Sequence, residues 1–351
     1  MKAKWQSVLI FILCLCITLS GCGTVAPQQQ QTVSFTDDCG RTVELPAQID
    51  HIAVTGSLAQ IIVFALAPDK LAGTAGKWSE DALPFIDEKY TALPVLGQLY
   101  GGKSELNAES LLQSGAQLVL DVGEQKDSLR QDMDELQEQT GLPVIHIDAY
   151  LATLDESYTV LGKLLGMEQE AGVLSKYCRH VYDRALAIAR SVDKVNLLYL
   201  LGDDGCHVIA RSSYPAEVLD LLCNNVAVLD APSSKGIGNA TDPEQIMLWN
   251  PDYIFFAPDS IYATVAQDPA WQHITAIAAD HYCQVPDVPY NWMGFPPSAQ
   301  RLLGMIWMAY TLYPDACDYD LYEEVSTYFR LFYHATLTQE EFQNIMENSI
   351  L

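Results

Sequence analysis

Positive charge is scarce in this sequence. Its 351 residues hold 19 Lys and Arg against 45 Asp and Glu, which gives a formal net charge of −26. A chain this acidic is a poor match for nucleic acid or an anionic lipid surface, because binding there begins with the neutralisation of phosphates. Hydrophobic residues make up 49% of the chain, enough to fill real cores, so global disorder is excluded. The length predicts about two domains.

Sequence motifs of catalysis and of resident metal sites are also missing. The sequence contains no His-x-x-x-His and no Gly-x-Ser-x-Gly pattern, and no two cysteines have the C-x-x-C spacing of zinc or redox sites. Internal repeats at the periods of solenoid proteins are absent as well. We therefore expect a protein that is not an enzyme and that has no cofactor and no metal site of its own.

The first 21 residues have the layout of an export signal. Lys2 and Lys4 precede an apolar run over Val8–Leu19, which is too short to span a bilayer as a mature helix. The ending Leu19-Ser20-Gly21-Cys22 resembles the bacterial lipobox, in which the cysteine receives a diacylglycerol and becomes the first mature residue. We predict a protein anchored through Cys22 on the extracytoplasmic face of the cell membrane. An ordinary signal peptide is the alternative.

Residues 22–32 predict a flexible tether, because they contain a glutamine run and few apolar groups. Of the nine cysteines, Cys14 and Cys16 fall within the signal and Cys22 is the anchor. The other six are either buried thiols or partners in one or two disulfide bridges, and we assign them no catalytic role. They are Cys39, Cys178, Cys206, Cys223, Cys283 and Cys317.

Strand-like and helical segments alternate along the mature chain. Apolar runs such as Gln117–Val122 and Val144–Ile147 are each followed by an amphipathic segment, an alternation typical of parallel sheets with helices on their faces. Residues 166–191 keep helical spacing over a length that is unusual for a globular helix. The sequence therefore predicts an α/β fold in which two halves are joined by one long helix.

Four segments in chain order resemble one protein family, the metal-chelate binding proteins of ABC importers. They are the opening run Val33–Pro46, the helix-to-strand step Leu106–Asp121, a second such step over Glu244–Ile254, and the C-terminal pattern Trp292–Ser298 followed by Arg301 and the helix to Pro314. Together they cover most of residues 33–315. The chain is thus similar to the class III (helix-backbone, TroA-like) substrate-binding lipoproteins.

The resemblance implies two Rossmann-like lobes with parallel sheets, a rigid connecting helix and a ligand cleft between the lobes. We assign residues 33–165 to the N-terminal lobe, 166–191 to the helix, and 192–351 to the C-terminal lobe with its C-terminal helices. It also implies that the protein captures a ferric siderophore, haem or a cobalamin-like chelate and delivers it to an ABC permease and its ATPase. Molybdate or tungstate, which a subset of the family binds, is the alternative ligand.

Ligands of open parallel sheets lie beyond the carboxyl ends of the strands. We expect Ser57 and Ser213 to mark helix starts whose free N–H groups face the cleft, and Lys77 and Arg211 to add positive charge. Trp78, Tyr100, Tyr214 and Trp292 could stack on a planar ligand, although aromatic residues at loop edges also often cover a core. His207 and Met293 are weaker candidates for direct contact with a metal. The predicted ligand-binding residues are Ser57, Lys77, Trp78, Tyr100, Arg211, Ser213, Tyr214 and Trp292.

Two further patterns complete the sequence-based expectations. Family members use an acidic residue on each lobe to meet arginines of the permease, and Glu88 and Glu244 are the candidates by position. The segment Gly97–Ser104 matches the P-loop pattern G-x-x-x-x-G-K-S. A P-loop must open directly into a helix, whereas Asn107 predicts a later and shorter one, so a surface-anchored NTPase or hydrolase is the least favoured alternative.

Overall fold

The computed structural model describes residues 31–100 and 105–351. Cys22, the export signal and all but the last two residues of the tether lie outside these ranges, and so do residues 101–104 of the glycine-rich segment. The strands are β1 (Thr32–Thr36), β2 (Thr42–Pro46), β3 (Ile52–Val54), β4 (Leu118–Gly123), β5 (Val144–Asp148), β6 (Asn196–Leu201), β7 (His207–Val208), β8 (Asn224–Asn225), β9 (Asn239–Ala240), β10 (Tyr253–Phe256) and β11 (Tyr282–Gln284). The helices are α1 (Ser57–Leu66), α2 (Glu88–Thr91), α3 (Ala108–Gln113), α4 (Leu129–Thr140), α5 (Leu154–Leu165), α6 (Glu168–Ser191), α7 (Glu217–Leu222), α8 (Pro243–Trp249), α9 (Tyr262–Val265), α10 (Thr275–Ala278), α11 (Arg301–Leu312), α12 (Leu321–Tyr328) and α13 (Gln339–Ile345).

The N-terminal lobe is built on a parallel sheet with the strand order β3-β4-β5. Strand β4 is buried along its whole length, as expected for a strand covered on both faces. Helix α1 is apolar around its circumference and buried from Ala59 to Leu66, so it lies inside the lobe rather than on its surface. The opening run Val33–Pro46 forms a hairpin, because β1 and β2 pair antiparallel.

A charged network fastens the opening hairpin to this sheet. The guanidinium of Arg41 donates to Asp37 at 3.3 Å and to the carbonyl oxygen of Val144 at 2.9 Å. The imidazole of His146, fully buried in β5, lies 2.6 Å from Asp121 Oδ2 and 3.0 Å from Asp148 Oδ1. Burial alone would lower the pKa of His146, but the hydrogen bonds and charges of the two carboxylates outweigh it and raise that pKa.

The long connecting helix is present as α6, with 24 residues and a length of roughly 36 Å at the usual rise per residue. Gly166 has a φ of +65°, which ends α5, so the connecting helix begins at Glu168, two residues later than predicted. Its buried residues recur at helical spacing along one face, which packs on α5, α7 and α11. They are Ala171, Leu174, Cys178, Val181, Ala185, Ile188 and Ala189.

The sheet of the C-terminal lobe is mixed, which corrects the expectation of a purely parallel sheet. Strands β6, β8, β10 and β11 are parallel, whereas β7 pairs antiparallel with both β6 and β9. The connection from β6 to β7 is a tight turn in which Gly202 and Gly205 adopt positive φ. Such a connection is too short for the crossover that a parallel pair needs, so the chain returns antiparallel.

The last helices bind the C-terminal half of the chain to the N-terminal lobe. The segment Phe329–Tyr333 packs on α1, where the ring of Phe64 lies 6.3 Å from that of Tyr333. Phe85 meets Phe329 edge to face at 4.8 Å. Residues 321–351, predicted as part of the C-terminal lobe, therefore contact both lobes, and one hydrophobic core runs between them.

All six cysteines of the described residues are free thiols. Of the two alternatives for these cysteines, the structure therefore agrees with unpaired thiols and not with disulfide bridges. Within those residues, no helix combines the length and the apolar character that crossing a bilayer requires.

Candidate functional site

A cavity of about 540 Å³ lies between the two lobes and beside the connecting helix. On the N-terminal side it begins where β4 and β5 end, at Glu124 and at Tyr150 and Leu151. This is the edge at which open parallel sheets bind ligands. The lining residues are Glu124, Tyr150, Leu151, Tyr182, Ser212, Ser213, Tyr214, Glu217, Asp220, Leu221, Pro232 and Ser234.

Arg301, at the start of α11, contacts two residues of the cavity lining, Tyr214 and Glu217. Its side chain is buried and donates to Glu217 Oε2 at 2.5 Å and to the carbonyl oxygens of Tyr214 and Ala149 at 3.1 and 3.2 Å. The same guanidinium lies 4.5 Å from the centre of the Tyr214 ring. Burial raises the pKa of Glu217, against the opposing effect of Arg301. One cation thus joins residues of both lobes beneath the cavity.

The C-terminal wall is a turn in an uncommon backbone conformation. Ser212 has a φ of +68°, a region that non-glycine residues rarely adopt. Its N–H donates to Asp220 Oδ2 at 2.7 Å, and Ser213 donates through its hydroxyl to the carbonyl oxygen of Ala210 at 2.7 Å. Burial raises the pKa of Asp220, while the Ser212 hydrogen bond and the charges of Arg211 and Lys194 lower it.

Polar contacts join the two lobes around the cavity. The Ser234 hydroxyl donates to Glu124 Oε2 at 2.9 Å and closes one side of it. The Tyr214 hydroxyl donates to the carbonyl oxygen of Ala149 at 2.6 Å. Nearby, Ser298 donates from the C-terminal half to the carbonyl oxygen of Leu58 at 3.0 Å. The cavity is therefore bounded by both lobes rather than being a groove on one of them.

Three tyrosines give the cavity its aromatic surface. Tyr150 and Tyr214 meet edge to face, with ring centres 5.5 Å apart. Tyr182 projects from the connecting helix, and its ring centre lies 5.9 Å from the guanidinium of Arg179. Tyrosine offers a flat apolar face together with a hydroxyl, so this surface can stack on an organic ligand and also bond it.

Of the predicted ligand-binding residues, the structure brings Ser213 and Tyr214 into the cavity lining. Both residues belong to the loop that follows β7. Trp78 and Trp292 lie instead in the core: the indole N–H of Trp78 donates to the carbonyl oxygen of Tyr90 at 3.3 Å, and that of Trp292 to Val288 at 2.9 Å.

The other four predicted residues lie elsewhere. Lys77 and Arg211 are exposed and do not line the cavity. The Tyr100 hydroxyl donates to Asp132 Oδ2 at 2.6 Å, within the N-terminal lobe. Ser57 does not cap α1, because it is the first residue of the helix. The N-cap position is occupied by Gly56, which has no side chain to accept a hydrogen bond.

The remaining expectations concern permease docking, metal contact and phosphate binding. Glu88 and Glu244 are exposed in the first turns of α2 and α8, one on each lobe. His207 is half-buried beside Asp204, at 3.8 Å, and Met293 is buried; the described residues hold no group of three or more His, Cys, Asp or Glu side chains suited to a metal ion. Asn107 caps the short helix α3, as predicted, so the Gly97–Ser104 segment does not open directly into a helix as a P-loop must.

Sequence reasoning missed several lining residues. Tyr150 follows β5, so the rule that ligands lie beyond the carboxyl ends of parallel strands would have found it. Tyr182, Glu217 and Asp220 lie on helices, where nothing in the sequence distinguishes a side chain that faces a cleft from one that faces solvent.

The chain belongs to the periplasmic binding protein family, whose model matches residues 61–289, well over half of the chain. No protein of curated function matches the sequence. The family makes this chain an extracytoplasmic solute-binding protein and not an enzyme.

Solved structures agree with this family. An ABC transporter solute-binding protein from Sulfurospirillum deleyianum is similar with a TM-score of 0.82 and 22% identity, over 90% of this chain and 99% of that one. The TroA-like binding protein FepB from Veillonella parvula has a TM-score of 0.65 and 18% identity, over 87% and 97%. The molybdate-bound MolA of Haemophilus influenzae has a TM-score of 0.67 and 18% identity, over 87% and 99%. The predicted TroA-like, two-lobe α/β fold is confirmed.

Proposed function

We propose that this protein captures an iron complex, either a ferric siderophore or haem, or a cobalamin-like chelate, and delivers it to an ABC permease and its ATPase. The single observation that carries the proposal is the cavity of about 540 Å³ between the lobes, lined by three tyrosines. Sites for organic molecules of drug size typically have volumes of roughly 300–1,000 Å³ and a largely apolar or aromatic lining with a few polar groups. The cavity falls within that range.

Molybdate or tungstate is the second candidate, and the similarity in fold to molybdate-bound MolA favours it. A small oxyanion is recognised by several N–H donors or by cationic side chains that surround it closely. The cavity instead offers a broad aromatic wall with carboxylates, and Lys77 and Arg211 do not line it. The geometry therefore supports an organic chelate over a bare oxyanion.

Delivery requires contact with a membrane permease. Glu88 and Glu244 are exposed on different lobes, so a partner with two basic patches can contact both lobes at once. Lipidation of Cys22 would keep the protein at the membrane surface, since buried acyl chains contribute about 0.8 kcal/mol per methylene group. Docking through Glu88 and Glu244 and anchoring through Cys22 both belong to this proposal.

The test is a titration of the purified protein with four probes: a ferric hydroxamate siderophore, haemin, cobalamin and molybdate. Binding is measured by isothermal titration calorimetry and by the change in visible absorbance of the coloured probes. We expect saturable binding of at least one chelate and none of molybdate. Binding of molybdate alone would establish the second candidate, and indifference to all four probes would refute both.

A pair of variants places the bound probe in the cavity. Tyr182→Ala removes an aromatic face of the lining while leaving the buried face of α6 intact. Tyr310→Ala removes a half-buried tyrosine of α11 that does not line the cavity. We expect the first change to weaken chelate binding and the second to leave it unchanged. Equal effects of the two changes would show that the chelate binds elsewhere.

A further inference from the structure

The charged side chains that the structure describes in the cavity lining are all acidic. Three carboxylates line it, those of Glu124, Glu217 and Asp220. Over the described ranges 31–100 and 105–351, no lysine, arginine or histidine side chain belongs to that lining. Among the residues that the structure describes, a ligand in the cavity therefore meets carboxylates, serines and tyrosines but no cationic side chain.

The three carboxylates differ in how far their charge is already balanced. Glu217 is paired with Arg301, which lies beneath the Tyr214 ring and outside the lining. Glu124 accepts a hydrogen bond from the neutral Ser234 hydroxyl. Asp220 accepts from the Ser212 N–H at 2.7 Å and more weakly from Asn225 at 3.4 Å.

Basic residues near Asp220 lower the pKa of its carboxyl, but none of those that the structure describes forms a salt bridge with it. Arg211 is exposed, and the ammonium of Lys194 donates to the backbone oxygen of Asp220 at 3.3 Å rather than to its carboxylate. Within residues 31–100 and 105–351, Glu124 and Asp220 are thus two lining carboxylates without a salt-bridge partner. Partial burial strengthens the field of such groups relative to exposed ones, because the effective dielectric constant is lower.

The aromatic lining suits a cation as well. The faces of Tyr182 and Tyr214 already lie within 5.9 and 4.5 Å of the guanidinium groups of Arg179 and Arg301. The face of a tyrosine ring stabilises a nearby positive group, and these contacts with arginine are two examples among the lining residues. The net charge of −26 also raises the local concentration of cationic solutes at the protein surface.

From these observations we infer that the cleft selects a chelate with a net positive charge, held by Glu124 and Asp220 together with the tyrosine faces. The inference rests on the proposed function and narrows it to one charge class of ligand. Among chelates of the same size and coordination chemistry, the cationic member binds best and an anionic member is rejected.

The experiment compares chelates that differ only in charge. Ferric desferrioxamine B carries a free ammonium group, and its N-acetyl derivative has the same iron site without that charge. Aquacobalamin and cyanocobalamin form a second pair, because replacing the water ligand by cyanide removes one positive charge from the complex. Dissociation constants are measured by calorimetry at 20 and at 200 mM NaCl.

We expect the cationic member of at least one pair to bind about tenfold more tightly at low salt, with the difference shrinking at high salt as the charges are screened. Equal or tighter binding of the neutral member would overturn the inference while leaving chelate capture intact. If no member of either pair binds, the proposed capture of these chelates fails, and the inference fails with it.

Charge-matched variants separate the cavity from the general field of the protein. Glu124→Gln and Asp220→Asn each remove one lining charge, and Glu347→Gln removes one exposed charge outside the lining. The two lining variants should each reduce the preference for the cationic probe several-fold, and the Glu347 variant should not. A thermal unfolding curve for each variant shows whether it is folded. A preference that survives in the folded double variant would overturn the assignment of Glu124 and Asp220.

Discussion

Removal of the Arg301 side chain should strongly destabilise the fold, because its charge is buried and joins residues of both lobes. Only 1% of its surface is exposed, and its guanidinium donates to Glu217, Tyr214 and Ala149. Ala149 follows the last strand of the N-terminal sheet, whereas Tyr214 and Glu217 belong to the C-terminal lobe. Arg301→Met keeps much of the apolar stem and removes the charge, so it isolates the contribution of these bonds.

The size of the effect follows from what the substitution leaves behind. Glu217 loses its ion-pair partner in a site where burial already raises its pKa, and it keeps only the hydrogen bond from the Leu151 N–H at 3.1 Å. Breaking a buried ion pair by removing one partner typically costs about 3–5 kcal/mol, because the other charge stays buried without compensation. We expect Arg301→Met to lower the free energy of unfolding by about 3 kcal/mol or more at neutral pH.

Urea unfolding followed by tyrosine and tryptophan fluorescence measures this free energy. Arg330→Met is the control, since Arg330 is exposed and makes only a 3.3 Å contact to Thr327. The double variant Arg301→Met/Glu217→Gln should recover part of the loss, because no buried charge remains. The loss in the single variant should also shrink as pH falls, since protonated Glu217 needs no cation. If Arg301→Met costs no more than Arg330→Met, Arg301 does not fasten the lobes.

Three further predictions concern residues outside the cavity. His146→Gln should destabilise the protein by about 3 kcal/mol below pH 6.5, because the imidazolium pairs with the buried Asp121. The folded-state pKa of His146 is raised, so the stability that its charge provides is lost as pH rises through that pKa, and urea unfolding at pH 5.5 and 8.5 should show the loss shrinking. Gly304→Ala should cost about 1–3 kcal/mol in the same assay, because an added Cβ would overlap the carbonyl oxygen of Trp292; a neutral change would contradict that packing. Trp78→Ala should cost about 3–5 kcal/mol in stability yet leave chelate affinity unchanged by calorimetry, and a folded variant that has lost affinity would return Trp78 to the ligand site.

Local sequence signals predicted several elements, among them strands close to β4 and β5 and the long helix α6. The ends of two helices follow from local signals, since α5 ends at Gly166 and α8 is capped by Asp242 with proline at its first position. The capped start of α3 at Asn107 was also predicted, and it separated the glycine-rich segment from a P-loop. These features depend on residues close together in the chain, which is why one sequence suffices to find them.

Features that depend on distant parts of the chain were harder to predict. Strand β7 comes directly after a tight turn. It pairs antiparallel with β9, which lies some thirty residues further along the chain. The strand-end rule named Ser213 and Tyr214, and both line the cavity between the lobes. It did not show that Trp78 and Trp292 turn towards the core, because loop position fixes where a side chain starts and not which neighbours it packs against.

The lobes are joined by more than the connecting helix, and this determines how a solute can enter. Helix α6, the buried Arg301 contacts and the packing of Phe329–Tyr333 on α1 all bridge the two halves. Opening the cleft by a wide hinge motion would break these buried contacts together. On the side of the loop that contains Ser234, by contrast, the lobes are closed by one exposed hydrogen bond to Glu124, and such a bond contributes little to stability. Opening of the cavity on that side would therefore cost least, and it would expose Glu124, one of the two carboxylates that we propose bind the ligand.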